Sequence, residues 1–151
     1  MNEQFANLNA TRALLKSVTS DLTVEQLNKI PKGFNNNIAW NLGHILVTQQ
    51  LLVYALTDTK PLISENLIQT FRKGTAPEKR VSKEVLDEIM SGLATSGPRM
   101  AEDYQNGIFG NFKEYPTSYG IVLHNVEEAI VFNNMHEASH LGYIMAMKRA
   151  W

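Results

Sequence analysis

Residues 133–151 read NNMHEASHLGYIMAMKRAW, and within them His136, Glu137 and His140 spell H-E-x-x-H. On a helix, histidines four apart stand one turn apart on the same face, where two imidazoles can aim at one ion. Such an ion wants a third protein ligand. The chain offers two more histidines, His44 and His124. His124 lies 12 residues before His136, which is roughly 18 Å along a helix reaching back that far, so it is ruled out. His44 sits in the apolar string WNLGHILVTQQLL, on a stripe with Trp40 and Leu51, and is predicted to face the interior. A single inward histidine is more often a satisfied core residue than a ligand. Two at i, i+4 and a third on another helix leave several ring nitrogens needing partners in an apolar setting. The spacing therefore predicts a three-histidine metal site of His44, His136 and His140. Without cysteine in the chain, neutral imidazoles suit zinc, nickel or iron. Three ligands leave positions open for water or substrate, which fits a catalytic or ligand-binding site better than a structural one.

In zinc peptidases bearing H-E-x-x-H, the glutamate is a general base and a further ligand follows downstream. Here the stretch after His140, LGYIMAMKRAW, contains no His, Asp or Glu, so the peptidase reading fails. Glu137 stands roughly 100° from His136 and about 60° from His140 on a helical wheel. It is a candidate catalytic base at the rim of the pocket, with a solvated carboxylate or a partner for an imidazole as the alternatives. Asn41, Thr48 and Asn133 each lie one turn from a candidate ligand and are candidates to orient the rings, although ordinary surface polarity is the commoner outcome. Tyr143 and Met147 continue the same stripe as predicted core. Tyr115, Thr117, Ser118 and Tyr119 are candidates for a pocket lid.

These side chains need elements to position them, and helical periodicity supplies four long ones. The first covers about 2–20, with Phe5, Leu8, Ala13 or Arg12, Leu15 and Val18 on its stripe. Thr23 and Gln26 form a capping-box pattern for a short helix, which Pro31 and Gly33 stop. Asn35–Asn37 can cap the second long helix, about 38–57. Gly43 inside it costs roughly 1 kcal/mol relative to Ala, which suggests that something packs close to the backbone beside His44. Ser64 caps a short helix through Phe71. The third long helix runs from Ser82 to about Asn106, kinked or broken at Gly97-Pro98. Residues 107–123 read as a long ordered loop. The fourth runs from about Asn125 to Lys148, with Glu127 and Glu128 at its positive end and Lys148 and Arg149 at its negative end. No alternating strand pattern or internal repeat is visible. An all-α helical bundle in one domain, 1–151, is expected.

Composition narrows the function. The chain has 151 residues, 44% of them hydrophobic, and 14 basic residues against 15 acidic give a net charge of −1. No basic stripe is present, so nucleic acid is not an expected partner. No apolar run approaches the roughly 18 residues of a membrane span, and the polar N-terminal stretch is unlike a secretory signal. A soluble, cytoplasmic protein is expected.

W-N-L-G-H-I at 40–45, followed by H-E-A-S-H-L-G-Y-I at 136–144, resembles the DinB-like superfamily (the DinB/YfiT-like metalloenzymes). The likeness spans nearly the whole chain: an N-terminal helix, a W-x-x-G-H helix, a long third helix and H-x-x-x-H-x-G-x-I. It implies a four-helix bundle with long crossover connections, His44, His136 and His140 as the metal triad, and frequent homodimers. It also implies a thiol-dependent S-transferase or isomerase using a low-molecular-weight thiol, whereas Glu137 is outside the family's metal triad. Together the readings give a metal-dependent enzyme, a transferase or hydrolase. Its divalent metal activates a thiol or water for attack on a small electrophilic substrate. A non-catalytic metal- or ligand-binding, stress-associated bundle is the alternative.

Overall fold

The structure is a computed structural model describing residues 1–150. Helix α1 (Asn2–Thr19) buries Phe5, Leu8, Arg12, Leu15 and Thr19, spaced three and four apart. A charged Arg12 thus occupies the middle of an otherwise mostly apolar stripe. The short α2 (Val24–Asn28) starts at the expected capping box, with Thr23 and Gln26 each bonding the other's backbone. Helix α3 (Ile38–Gln49) is capped by the Asn37 side chain, which accepts from the Trp40 N–H. All of α3 except Thr48 is buried, as befits a helix enclosed on every side. It does not run on regularly to residue 57. Gln50–Tyr54 form a π turn and Ala55–Thr57 a 3-10 turn. The adjacent Gln49 and Gln50 are both fully buried and bonded to one another, and the wider turn lets neighbouring side chains share the interior.

Ser64 and Ser82 cap α4 (Glu65–Phe71) and α5 (Lys83–Gln105). Pro98 lies inside α5, which continues through it unbroken. The segment expected to be a plain loop carries a minimal antiparallel ladder, β1 (Tyr115–Pro116) with β2 (Val122–Leu123). Helix α6 (Val126–Arg149) is capped by Asn125.

Helix α1 packs on α5 and α6, and α3 packs on the same two, so α1 and α3 stand at opposite corners of a four-helix bundle. The chain crosses between opposite corners through 20–37 and again through 106–125, while 58–82 joins the neighbours α3 and α5. Two apolar clusters fill the interior. One gathers Leu42, Ile45, Leu46, Phe71, Ile89 and Ile144, and the other Leu8, Val53, Tyr54, Met100 and Ile130. Between them sits a buried polar layer. Arg12 pairs with Glu137 at 2.8 and 3.0 Å and donates to the Leu93 carbonyl and Ser96. No helix among the described residues is long and apolar enough to cross a membrane.

Candidate metal centre

His44 comes from α3 and His136 and His140 from α6, helices that pack directly on each other. One nitrogen of each ring lies within 4.8 Å of one from each of the others, a cluster able to hold a metal ion. The ring centroids stand 5.1 Å (44–136), 5.0 Å (44–140) and 4.4 Å (136–140) apart.

Their hydrogen bonds decide which nitrogen faces inward. His44 Nδ1 lies 2.8 Å from the Phe71 carbonyl. A carbonyl only accepts, so Nδ1 carries the proton and Nε2 is left with a lone pair. His140 Nδ1 lies 2.7 Å from Asn41 Oδ1. The Asn41 amide nitrogen donates to Asn36 Oδ1 and the Asn37 carbonyl, so Oδ1 accepts and His140 Nε2 is also bare. That nitrogen is 3.1 Å from His136 Nε2. Thr48 Oγ1 reaches His44 Nε2 at 3.3 Å. His136 Nδ1 and Asn133 Oδ1 are buried without a partner among the described residues.

Backbone packing underlies this arrangement. The Phe71 ring lies against Gly43, where a Cβ would meet Cδ1 and Cγ at 2.5 Å. That close approach brings the last residue of α4 near enough for its carbonyl to hold His44. Trp40 stacks on the His44 ring, centroids 4.6 Å apart and planes at 11°, and its indole N–H donates to Thr75.

Burial disfavours the charged form of all three rings. It pushes His136 down to about 3, with the neighbouring His140 and His44 adding to the effect. His140 is lowered to about 4, by burial first and His44 second. Burial also lowers His44, partly opposed by the bond to Phe71. Neutral imidazoles with inward lone pairs are the form that ligates a divalent ion. The donor set thus fits zinc, nickel or iron. The Nδ1 protons of His44 and His140 are held by a carbonyl and a carboxamide, as is usual for metal-bound histidine.

The histidines form part of the wall of a cavity of about 420 Å³, completed by Thr48, Lys73, the apolar Leu51, Leu52, Ala55, Leu56 and Phe132, and the hairpin residues Tyr115, Thr117, Ser118 and Tyr119. Tyr119 packs edge-on against Phe132 and its hydroxyl lies 3.1 Å from Ser139 Oγ.

Glu137 requires a correction. It is fully buried where α6 meets α1, bound to Arg12 and to the Asn133 amide at 2.8 Å, and is absent from the cavity lining. Both carboxylate oxygens are committed to the polar layer, which leaves no lone pair aimed at a reacting group. Of the side chains expected to orient rings, Asn41 holds His140 and Thr48 touches His44, while Asn133 serves Glu137. Tyr143 is also not core: it is 37% exposed and packs edge-on with Phe34. Met147 is fully buried as expected. His124 is exposed and bonds Glu114, away from the cluster. Sequence reasoning missed Lys73, Phe132 and the Phe71 carbonyl. Phe132 could have been found one turn before His136; a backbone carbonyl leaves no signal except the glycine facing it.

A helical bundle with long crossovers and a three-histidine cluster opening on a cavity defines a class of protein. The family model of the DinB superfamily matches residues 7–144, and the chain belongs to that superfamily. None of the curated proteins compared with the chain matches it.

Proposed function

We propose that this protein is a metal-dependent enzyme that uses a small thiol as nucleophile against an electrophilic small molecule, an S-transferase in reaction type. The observation that carries the reading is the convergence of three imidazoles, two of them with lone pairs fixed inward, on the wall of a cavity. A divalent ion held by His44, His136 and His140 would supply the Lewis acidity that lowers the pKa of a nucleophile bound beside it.

The chain's own residues favour a thiol over water in that role. No carboxylate of the described residues lines the cavity, and Glu137 is tied to Arg12. Deprotonation without a neighbouring base is far easier for a thiol, with a pKa of about 8.5, than for water at about 15.7. Phe71 and Asn41 fix the ring orientations. Leu51, Leu52, Leu56 and Phe132 exclude water from the side on which the substrate packs. In the transfer, the sulfur–carbon bond forms as the bond to the leaving group breaks. The thiol proton passes to solvent, and the leaving group departs with its electron pair.

The test is metal content of protein purified without a metal-affinity tag, followed by thermal shift with thiols. Wild type is expected to hold about one ion per chain, and His44→Ala and His140→Ala are expected to lose it equally. Full occupancy in the His44 variant, or no ion in wild type even after loading, refutes the site. Stabilisation by thiols that is the same with and without metal refutes the thiol assignment.

A further inference from the structure

The cavity beside the histidines also has a sign. Among the described residues that line it none is acidic, and Lys73 is the one with a fixed formal charge. Lys73 follows Phe71 by two residues, so the connection whose carbonyl holds His44 also delivers an ammonium group to the same space. That ammonium takes part in none of the ion pairs among the described residues. Ser118 and Tyr115 line the cavity too, and neither hydroxyl is engaged by another side chain among the described residues. The carboxylate next to His136 in sequence, Glu137, is neutralised by Arg12 of α1. Three neutral imidazoles would leave the double positive charge of a divalent ion uncompensated. Leu51, Leu52, Leu56 and Phe132 make much of the remaining wall apolar.

We infer that the cavity selects an amphipathic organic anion, with its acid group at Lys73, Ser118 and Tyr115 and its apolar body along the leucines and Phe132. A neutral molecule of the same shape would forgo the attraction of a positive cavity. An exposed ammonium such as Lys73 gains modestly from a single carboxylate, so a preference of about two- to fivefold over the uncharged analogue is expected. The position of the reacting end rests on the proposed metal-dependent function; the Lys73 contact stands without it.

The experiment is titration calorimetry with ω-mercaptocarboxylates, from 3-mercaptopropionate to 8-mercaptooctanoate. Each is compared with its own amide, on zinc-loaded wild type and on Lys73→Gln. Zinc content is measured separately on the same samples. The acid is expected to bind more tightly than the amide at the chain length that spans the cavity, and Lys73→Gln is expected to erase the difference without weakening the amide. Equal affinity for acid and amide at every length overturns the inference, as does a preference that survives in Lys73→Gln. If the protein holds no zinc, the proposed function fails on that measurement alone. The anion preference is then read with octanoate against octanamide on metal-free protein, where a Lys73-dependent preference supports it and its absence overturns it.

Discussion

Replacing Gly43 by Ala tests how the site is held. The added methyl would meet Phe71 Cδ1 and Cγ at 2.5 Å and Cδ2 at 2.8 Å, inside any tolerable contact, and Phe71 is 1% exposed with nowhere to go freely. The ring must shift, and its carbonyl, 2.8 Å from His44 Nδ1, shifts with it. Two effects on stability oppose each other. Helix α3 gains about 1 kcal/mol from losing a glycine, and the core loses about 1–3 kcal/mol to overpacking. The net cost is therefore at most about 2 kcal/mol, or a melting temperature lowered by no more than about 8 °C in a chain of this size. Metal affinity has no such compensation. Loss of the partner that orients a ligating histidine costs about 10- to 100-fold. Zinc competition against a chromophoric chelator is expected to show that loss in a protein that remains helical by circular dichroism. Wild-type affinity in Gly43→Ala would refute the claim that Phe71 aims His44.

Asn41→Ala removes the acceptor for His140 Nδ1 and is expected to weaken zinc by about 10- to 100-fold in the same competition assay. Glu137→Ala strands the Arg12 guanidinium in the interior and is expected to cost about 3–5 kcal/mol in urea unfolding. A loss below 1 kcal/mol would show that the pair is hydrated. Metal-free protein is expected to lose stability as pH falls from 6.5 toward 4. The folded state holds His136 at about 3 and His140 at about 4 and lowers His44, whereas an unfolded histidine protonates near 6.5. The unfolded chain thus binds more protons in that window. Stability falls with acidification by up to about 1.4 kcal/mol per pH unit for each histidine. Urea midpoints equal at pH 7 and pH 5 would contradict it.

Much of the frame was legible because its signals are local. Asn37, Ser64, Ser82 and Asn125 mark helix starts by side-chain chemistry alone. The meeting of position 44 with 136 and 140 followed from placing each on an inward stripe. The failures are of another kind. A helical wheel gives the bearing of Glu137 on its own helix but not which neighbour stands there, and the neighbour is Arg12, 125 residues away in sequence. Arg12 itself was visible only as an ambiguity of register with Ala13. The π turn at 50–54 depends on burying Gln49 and Gln50 together, which no periodicity announces. Strands of two residues, such as 115–116 and 122–123, are too short to show alternation. Lys73 lies in a connection, where sequence gives no face at all.

The Arg12–Glu137 pair gives α6 a fixed azimuth. Were that helix to twist about its axis or slip by one residue, a guanidinium and a carboxylate would part inside an apolar interior. The pair works as a detent, and the two imidazoles carried by the same helix inherit their aim from it. A carboxylate outside the cavity therefore still governs where the histidines point, and substitutions at position 12, remote from the cavity, should blur the site before they unfold the protein.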